Sequence, residues 1–505
     1  MSCRPFNTVP IGGEFGISVE FNTLDDVIDY EEGRINLTQG YPRFVPHRAV
    51  TARERAAAAE TGMPFAVAFP SRRQALFVMR DFSQRFARGV VPFSLDAALE
   101  ELIAVLHPGA PLAGRWTDTA DFKVVDGDRV TVVCARDKDD HERLKLLRRV
   151  WGFGFDVHAV AGRAAAEPEG FSEAALAQRL AALEGPRANG ALLFQSGMAA
   201  ISTIVVGAAR FGRRMVVVGP AYVDTCEIAS KWPAETRGLA CTWLPEDAGV
   251  ELVDAAIRSH PSVVFFEAPT NPRLTIPDIP GIVRAARERG AILGADATIA
   301  TPFNWRPLEH GFDFVMHSTS KFLSGRYDHL GGVITAASTE LLGAFAGVRD
   351  ALDLSMSANQ MKVLFGNMRG FERRMETINR NAAEIARRLA GSPAVAKVFH
   401  PGTVSPRQEE MAAAFLKPGR SGLLSFVLKD GGREALRRFY DNVTPPVRKG
   451  PGLGGESTML CPYVMLAHYH ADPAFLASQK LDFHLVRVSV GTEPVDDIWE
   501  AMRLP

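Results

Sequence analysis

The chain has 505 residues, 47% of them hydrophobic, with 57 Lys and Arg against 58 Asp and Glu for a formal net charge of -1. That length allows two or three domains with ample cores, and the balanced charge argues against binding nucleic acid or an acidic membrane through a global field. Five cysteines, at 3, 134, 226, 241 and 461, are widely spaced and never in C-x-x-C spacing, which argues against a disulfide framework or a zinc site and fits a reducing compartment. The opening MSCRPFNTVPIGGEFG lacks a signal-peptide apolar stretch, and no apolar run approaches membrane-spanning length. The expectation is a cytoplasmic protein without a metal site.

Three regions follow in chain order. Residues 1–164 read as a mixed N-terminal α/β extension: a Gly, Pro and Asn-rich opening, helices near Ser71–Arg88 and Leu95–Leu106, and a hairpin of Phe122–Val125 and Val130–Cys134 around Asp126-Gly127-Asp128. An amphipathic helix over Lys138–Trp151 completes it. Residues 165–366 alternate short apolar strands with helices. The strands are Ala191–Phe194, Met215–Gly219, Ser262–Glu267, Ala291–Asp296, Phe314–Ser318 and Gly332–Ala336, and a helix over Pro277–Arg289 stops at Gly290. Near-continuous apolar strands between helices imply a mostly parallel sheet covered on both faces. Residues 367–505 open with a helix whose Met375, Ile378, Ala382, Ile385 and Leu389 form one apolar stripe. Strands at Gly422–Leu428 and Leu485–Val490 and a loop at Thr444–Gly455 make this a smaller α+β domain.

Several strand ends in the middle region carry polar chemistry, and open α/β sheets bind ligands beyond the carboxyl ends of their strands. Phe194-Gln195-Ser196-Gly197-Met198 runs from strand through a glycine turn into an apolar helix, where free N–H groups favour an anion; taken alone, so short a motif reads first as a plain strand–helix turn. The strand ending at Asp296 delivers a carboxylate that must be paired or hydrogen-bonded to stay charged, either as a structural bridge or facing a protonated ring nitrogen. His317-Ser318-Thr319-Ser320-Lys321 places a lysine after an apolar strand and a hydroxyl cluster. The hydroxyls suit phosphate and the lysine suits imine formation when desolvated, although a lone lysine after a turn is ordinarily a surface residue. In Leu485–Val490, Val486, Val488 and Val490 share one face and Arg487 takes the other; its fork asks for a carboxylate, from a ligand or from a structural partner. Tyr222 and Asn271 sit in two further strand-end loops and read either as a ring stacked on a planar group and an amide aimed into the crevice, or as a packing tyrosine and a turn asparagine.

Taken together, SGMAAI, EAPTNP, ADATIATPFNWRPLEHG, HSTSKFLSGRYDHLGG and LVRVSVGTE resemble the Cys/Met-metabolism family of pyridoxal-phosphate (PLP) enzymes over roughly residues 160–505. YEEGRINLTQGYPRF, YVDT and CPYVMLAHY resemble the extended fungal-type cystathionine γ-synthases. The resemblance implies PLP-dependent transferase fold type I, aspartate-aminotransferase-like, with a mostly parallel central sheet. It implies Lys321 as the Schiff-base lysine and proton shuttle, Asp296 as the pyridinium partner, Ser196, Gly197, Met198, Ser318 and Ser320 around the phosphate, and Tyr222 stacked on the ring in an acid–base role. Thr298 would pack on the other cofactor face. Arg487 would bind the substrate α-carboxylate, with Asn271 and Thr458 (or Ser457) beside it. The family takes a Tyr-x-Arg for the phosphate from a neighbouring subunit; Ala161-Gly162-Arg163 is the match at that place, so Arg163 is expected to remain while the tyrosine is missing. A homodimer or homotetramer acting on a small amino-acid substrate is implied. The reaction implied is γ-replacement on a Cγ-activated amino acid, with γ- or β-elimination, an unusual amino acid as substrate, or a non-catalytic binding role as the alternatives.

Overall fold

The computed structural model describes residues 4–6, 11–37, 40–86, 97–106, 120–127, 129–211, 214–231, 239–258, 263–401, 403 and 405–504. Arg88, Leu95, Asp128 and Ser262, at the edges of expected elements, and Cys3 lie outside them. Strands β1 (Arg4–Phe6) and β2 (Ile35–Leu37) form a parallel pair. A separate antiparallel sheet joins β3 (Phe65–Phe69), β4 (Phe122–Asp126) and β5 (Thr131–Ala135) in the order β3-β5-β4, its second pair being the expected hairpin.

The large sheet has seven strands: β6 (Gly190–Phe194), β7 (Arg214–Val218), β8 (Ala240–Leu244), β9 (Val263–Glu267), β10 (Ile292–Asp296), β11 (Phe314–Ser318) and β12 (Gly332–Ala336). Their order is β6-β12-β11-β10-β9-β7-β8. Only β12 is reversed, running antiparallel to both neighbours. The helix Gly197–Phe211 follows β6 and is buried from Gly197 to Ala209. It can be apolar all round because the sheet covers one side and the three-stranded layer the other: Phe77, Phe82 and Trp151 share its core with Ile201, Val205 and Phe314. The helix Ile279–Arg289 is capped by Asp278 and stops at Gly290, whose φ of 63° a residue with a Cβ adopts at a cost.

The small sheet joins β13 (Val395–Phe399), β14 (Leu423–Leu428), β15 (Arg448–Lys449), β16 (Met459–Pro462) and β17 (Leu485–Ser489) in the order β13-β14-β17-β16-β15. The helix Phe371–Ala390 lays Ala382, Ile385 and Leu389 on its face, within one core that also holds Leu424, Phe426, Val486 and Val488. Val19, Phe21, Leu24, Val27, Ile28 and Ile35 belong to that same core. The expected extension is thus split. Residues 19–37 are built into the small domain, and the layer from Arg48 to Val150 packs on the large one. The helix Leu24–Glu31 starts on a capping box, Thr23 with Asp26, and turns Leu24, Val27 and Ile28 inward. Burying each such side chain contributes about 1.5–3 kcal/mol.

Candidate active site

The carboxyl ends of β6, β7, β9, β10 and β11 open onto one cavity of about 680 Å³. The sheet contributes Gly197 and Met198 after β6, Tyr222 after β7, Glu267 and Asn271 from β9, Asp296 and Thr298 from β10, and Ser318 and Lys321 from β11. The small domain adds Cys461, Tyr463 and Arg487. A third side consists of Tyr30, Glu31, Tyr41, Arg43 and Phe44 from the N-terminal segment.

Asp296 and Glu267 are register partners on adjacent parallel strands, both buried. The Thr298 N–H donates to Asp296 Oδ1 at 2.9 Å, and Thr298 Oγ1 in turn accepts from the Ser318 N–H at 2.8 Å. Burial raises the Asp296 carboxyl, against the pull of the Thr298 bonds and of His317; His317 itself is fixed by Glu184 at 2.6 Å. Burial and then Asp296 push Glu267 well above the usual carboxylate range. Both carboxyls are raised, Glu267 the more so because the Asp296 charge adds to its burial. Glu267 also accepts the Asn271 N–H at 3.0 Å and the Tyr222 N–H, tying two site loops together.

Lys321 Nζ stands 4.7 Å from the centroid of the Tyr41 ring. Burial holds its amine below the ordinary lysine value, with Arg487 and Arg43 adding to the effect and Tyr41 opposing it. Among the described residues Arg487 bonds only neutral acceptors: Nη2 donates to the carbonyls of Pro451 at 2.5 Å and Gly452 at 3.3 Å, and Nη1 reaches Asn271 Oδ1 at 3.5 Å. Its Nε is buried without a partner, and it makes no ion pair among the described residues. A structural carboxylate bridge is therefore not what holds this arginine, and its charge is available to an anionic ligand.

Arg43 is buried between elements. Nη1 donates to Asp224 Oδ2 at 2.8 Å and to the Arg149 carbonyl at 3.0 Å, and Nη2 donates to Tyr222 Oη at 2.8 Å. Lys321 and Arg43 outweigh burial at Tyr41 and bring its phenol below the usual value.

Of the expected residues, Lys321, Tyr222, Gly197, Met198, Asp296, Thr298, Ser318, Asn271 and Arg487 border this one cavity. Four lie elsewhere. Ser196 spends its hydroxyl on the Gly152 carbonyl and the Ala199 N–H, capping the helix from within. Ser320 Oγ is tied to the Gly331 backbone, behind Tyr41. Thr458 bonds Glu493 at 2.9 Å and accepts the Gly491 N–H. Arg163 is on the surface, ion-paired with Glu14. Tyr41 and Arg43, a Tyr-x-Arg pair some 120 residues upstream of Ala161, border the cavity. Tyr463, within the CPYVMLAHY stretch, lies under the Arg487 guanidinium at 5.5 Å and is a further wall residue to which no role was assigned from sequence.

The residues fit pyridoxal phosphate. Lys321 offers a buried amine of lowered basicity for an aldehyde, and Asp296 a buried carboxyl group for a pyridinium. The first N–H groups of the helix after β6 lack partners within that helix and suit a phosphate. Gly197 lets the backbone approach Ser318 so closely that an added Cβ would sit 2.9 Å from the serine Cβ.

Fold and cavity together define a PLP-dependent enzyme of fold type I. The sequence profile described as Cys/Met metabolism PLP-dependent enzyme matches residues 170–503, and the chain belongs to that family. It is similar to a cystathionine gamma-synthase of Escherichia coli (strain K12), 30% identical over 319 residues, covering 63% of this chain and 81% of that one. It is also similar to an L-methionine gamma-lyase of Pseudomonas putida, 31% identical over 326 residues, or 64% and 80% of the two chains. Among solved structures, a cystathionine gamma synthase from Xanthomonas oryzae pv. oryzae, in complex with aminoacrylate and cysteine, superposes with a TM-score of 0.61 at 27% identity, covering 67% of this chain and 90% of that one. The chain is thus a PLP-dependent transferase or lyase of Cys/Met-type amino-acid metabolism, and enzymes of its family bind small amino-acid substrates. Among the described residues no helix is long and apolar enough to cross a membrane.

Proposed function

We propose that the enzyme catalyses γ-replacement on an amino acid with a leaving group at Cγ, of the O-acylhomoserine plus thiol type. One observation carries this reading. The two stretches that resemble the fungal-type cystathionine γ-synthases, YEEGRINLTQGYPRF and CPYVMLAHY, lie more than 400 residues apart, yet Tyr30, Glu31, Tyr41 and Arg43 of the first and Cys461, Tyr463, Leu466 and Ala467 of the second line the same cavity as Lys321. The finer resemblance therefore sits where substrates would touch. The cavity also falls within the roughly 300–1,000 Å³ of small-molecule sites, which leaves space for a second reactant beside an amino-acid substrate.

Pyridoxal phosphate, when bound, supplies the electron sink for a carbanion at Cα. The chain's own residues do the rest. Lys321 would anchor the cofactor, Asp296 would face its ring nitrogen, Tyr222 its ring, and Thr298 would hold Asp296 in place. Gly197, Met198 and Ser318 would border the phosphate, with Tyr41 and Arg43 closing that side. Arg487 would clamp the α-carboxylate, steadied by Asn271. Lys321, its basicity lowered by burial, would take the Cα proton and return one along the substrate. The test is an assay with O-acylated homoserines, with and without cysteine. Thioether formed only with the thiol is the expected result; ketoacid and ammonia released at the same rate without it would replace this reading by the eliminating lyase.

A further inference from the structure

Arg487 keeps a charge where charge is costly. It is 4% exposed, Nη2 donates to the carbonyls of Pro451 and Gly452, Nη1 reaches Asn271 Oδ1 at 3.5 Å, and Nε has no partner. Two carbonyls and one long contact to an amide are modest compensation for a buried cation. Among the described residues one aromatic ring faces the guanidinium, that of Tyr463, with its centroid 5.5 Å from the guanidinium carbon.

Strand pairing puts the ring there. β16 and β17 run antiparallel, with Cys461 opposite Arg487 and Pro462 opposite Val486. Side chains alternate along a strand, so Tyr463, two residues past Cys461, returns to the face of Arg487 and Leu485. Pro462 has no N–H with which to extend the ladder, and the chain turns into the helix Tyr463–Ala467. Tyr463 packs on the cluster of Phe399, Val427 and Leu485, and the His468 ring meets its own edge-on at 5.7 Å. A core therefore fixes the ring that lies under the guanidinium. Burial raises the Tyr463 phenol above its usual value, with Arg487 opposing, so the ring stays neutral. A neutral ring draws the cation by its quadrupole without occupying the N–H donors that a carboxylate needs.

We propose that Tyr463 is a positioning residue for substrate recognition: its ring holds the Arg487 fork in place, with donors free for the α-carboxylate. This rests on the carboxylate role of Arg487 given above, and the variants below separate failure of the one from failure of the other.

Holoenzymes of wild type, Tyr463→Phe, Tyr463→Leu, Arg487→Ala and the Tyr463→Leu/Arg487→Ala double variant are titrated with L-norvaline, which has no leaving group at Cγ. Its dissociation constant is read from the absorption of the bound cofactor, and the urea midpoint and PLP affinity of each protein are measured alongside. Tyr463→Phe, which keeps the ring, should stay within about twofold of wild type. Tyr463→Leu should weaken binding about 3- to 30-fold, the size of a desolvated cation–π contact, with PLP affinity unchanged. Because the ring acts through the guanidinium, adding Tyr463→Leu to Arg487→Ala should cost nothing further. An equal loss in both backgrounds marks a purely structural tyrosine and overturns the proposal. So does Tyr463→Leu binding like wild type, or Tyr463→Phe binding as weakly as Tyr463→Leu. Tyr463→Met, also without a ring, takes the place of Tyr463→Leu if that variant does not fold. Arg487→Ala binding L-norvaline as tightly as wild type would remove the carboxylate role of the arginine, and this proposal with it.

Discussion

The cavity has two walls of unlike origin. The sheet wall is assembled from strand ends: Asp296 closes an apolar strand and Gly197, Tyr222, Asn271 and Lys321 each follow one by a few residues, so the hydrogen-bonded ladder fixes their positions. The N-terminal wall, from Tyr30 to Phe44, includes a single three-residue strand, and it is positioned by Phe21, Leu24 and Val27 sinking into a core more than 350 residues further along the chain. The sheet wall is local structure with chemistry at its ends, whereas the other exists only once the small domain has folded. Damage to the first should remove chemistry from a stable protein, and damage to the second should cost stability and binding together.

The largest effect is expected at Lys321→Ala. Loss of the proton-transferring amine should lower kcat by about 10²–10⁴-fold, with no cofactor fixed to the chain by borohydride and an unchanged urea midpoint. A variant that stays active would place the chemistry elsewhere than the sheet wall. Phe21→Ala probes the other wall from behind. Removal of a fully buried ring costs about 3–5 kcal/mol, so the urea midpoint should fall and PLP affinity fall with it; intact affinity in a destabilised protein would show that the wall does not depend on this core. Arg487→Ala should raise KM for the amino-acid substrate about 10–100-fold, since a charge-assisted hydrogen bond is worth about 1.5–3 kcal/mol. An effect confined to kcat would refute a carboxylate clamp. The smallest effect is at Glu31, on the N-terminal wall. Burial raises its carboxyl from 4.5 to about 7, against a smaller pull from His470. The folded chain thus holds this proton more tightly than the unfolded one, so the stabilisation is complete below about pH 4.5 and lost as pH rises through 7. The melting temperature should decline between pH 5 and 8, and less steeply in Glu31→Gln; superimposable profiles would rule the group out.

Much of the sheet wall was legible from sequence, because apolar strands ending in Asp296, Ser318 and Phe194 report their own ends. The strand Ala240–Leu244 escaped because it lies at the sheet edge, half-exposed, with Cys241 and Thr242 breaking the apolar run. Arg163 attracted attention by its place in the family pattern, although a residue's distance along the chain from a motif does not fix its distance in space. No periodicity marks Tyr41 and Arg43 as cavity residues, because tertiary docking sets the position of their segment. Ser196 and Thr458 were sought as ligand contacts, yet each hydroxyl is spent on backbone or carboxylate bonds that shape the loops around the site.

The docking of residues 19–37 into the small-domain core bears on how this protein can be divided. A chain trimmed to the family-matched residues 170–503 would leave the apolar neighbours of Phe21, Leu24 and Val27 facing water, and would lose one side of the cavity. The boundaries drawn by sequence likeness therefore do not enclose a self-sufficient enzyme. The shortest fragment expected to remain both dispersed and competent begins ahead of Ile17, so the long N-terminal region behaves as masonry of the catalytic unit and not as an appendage to it.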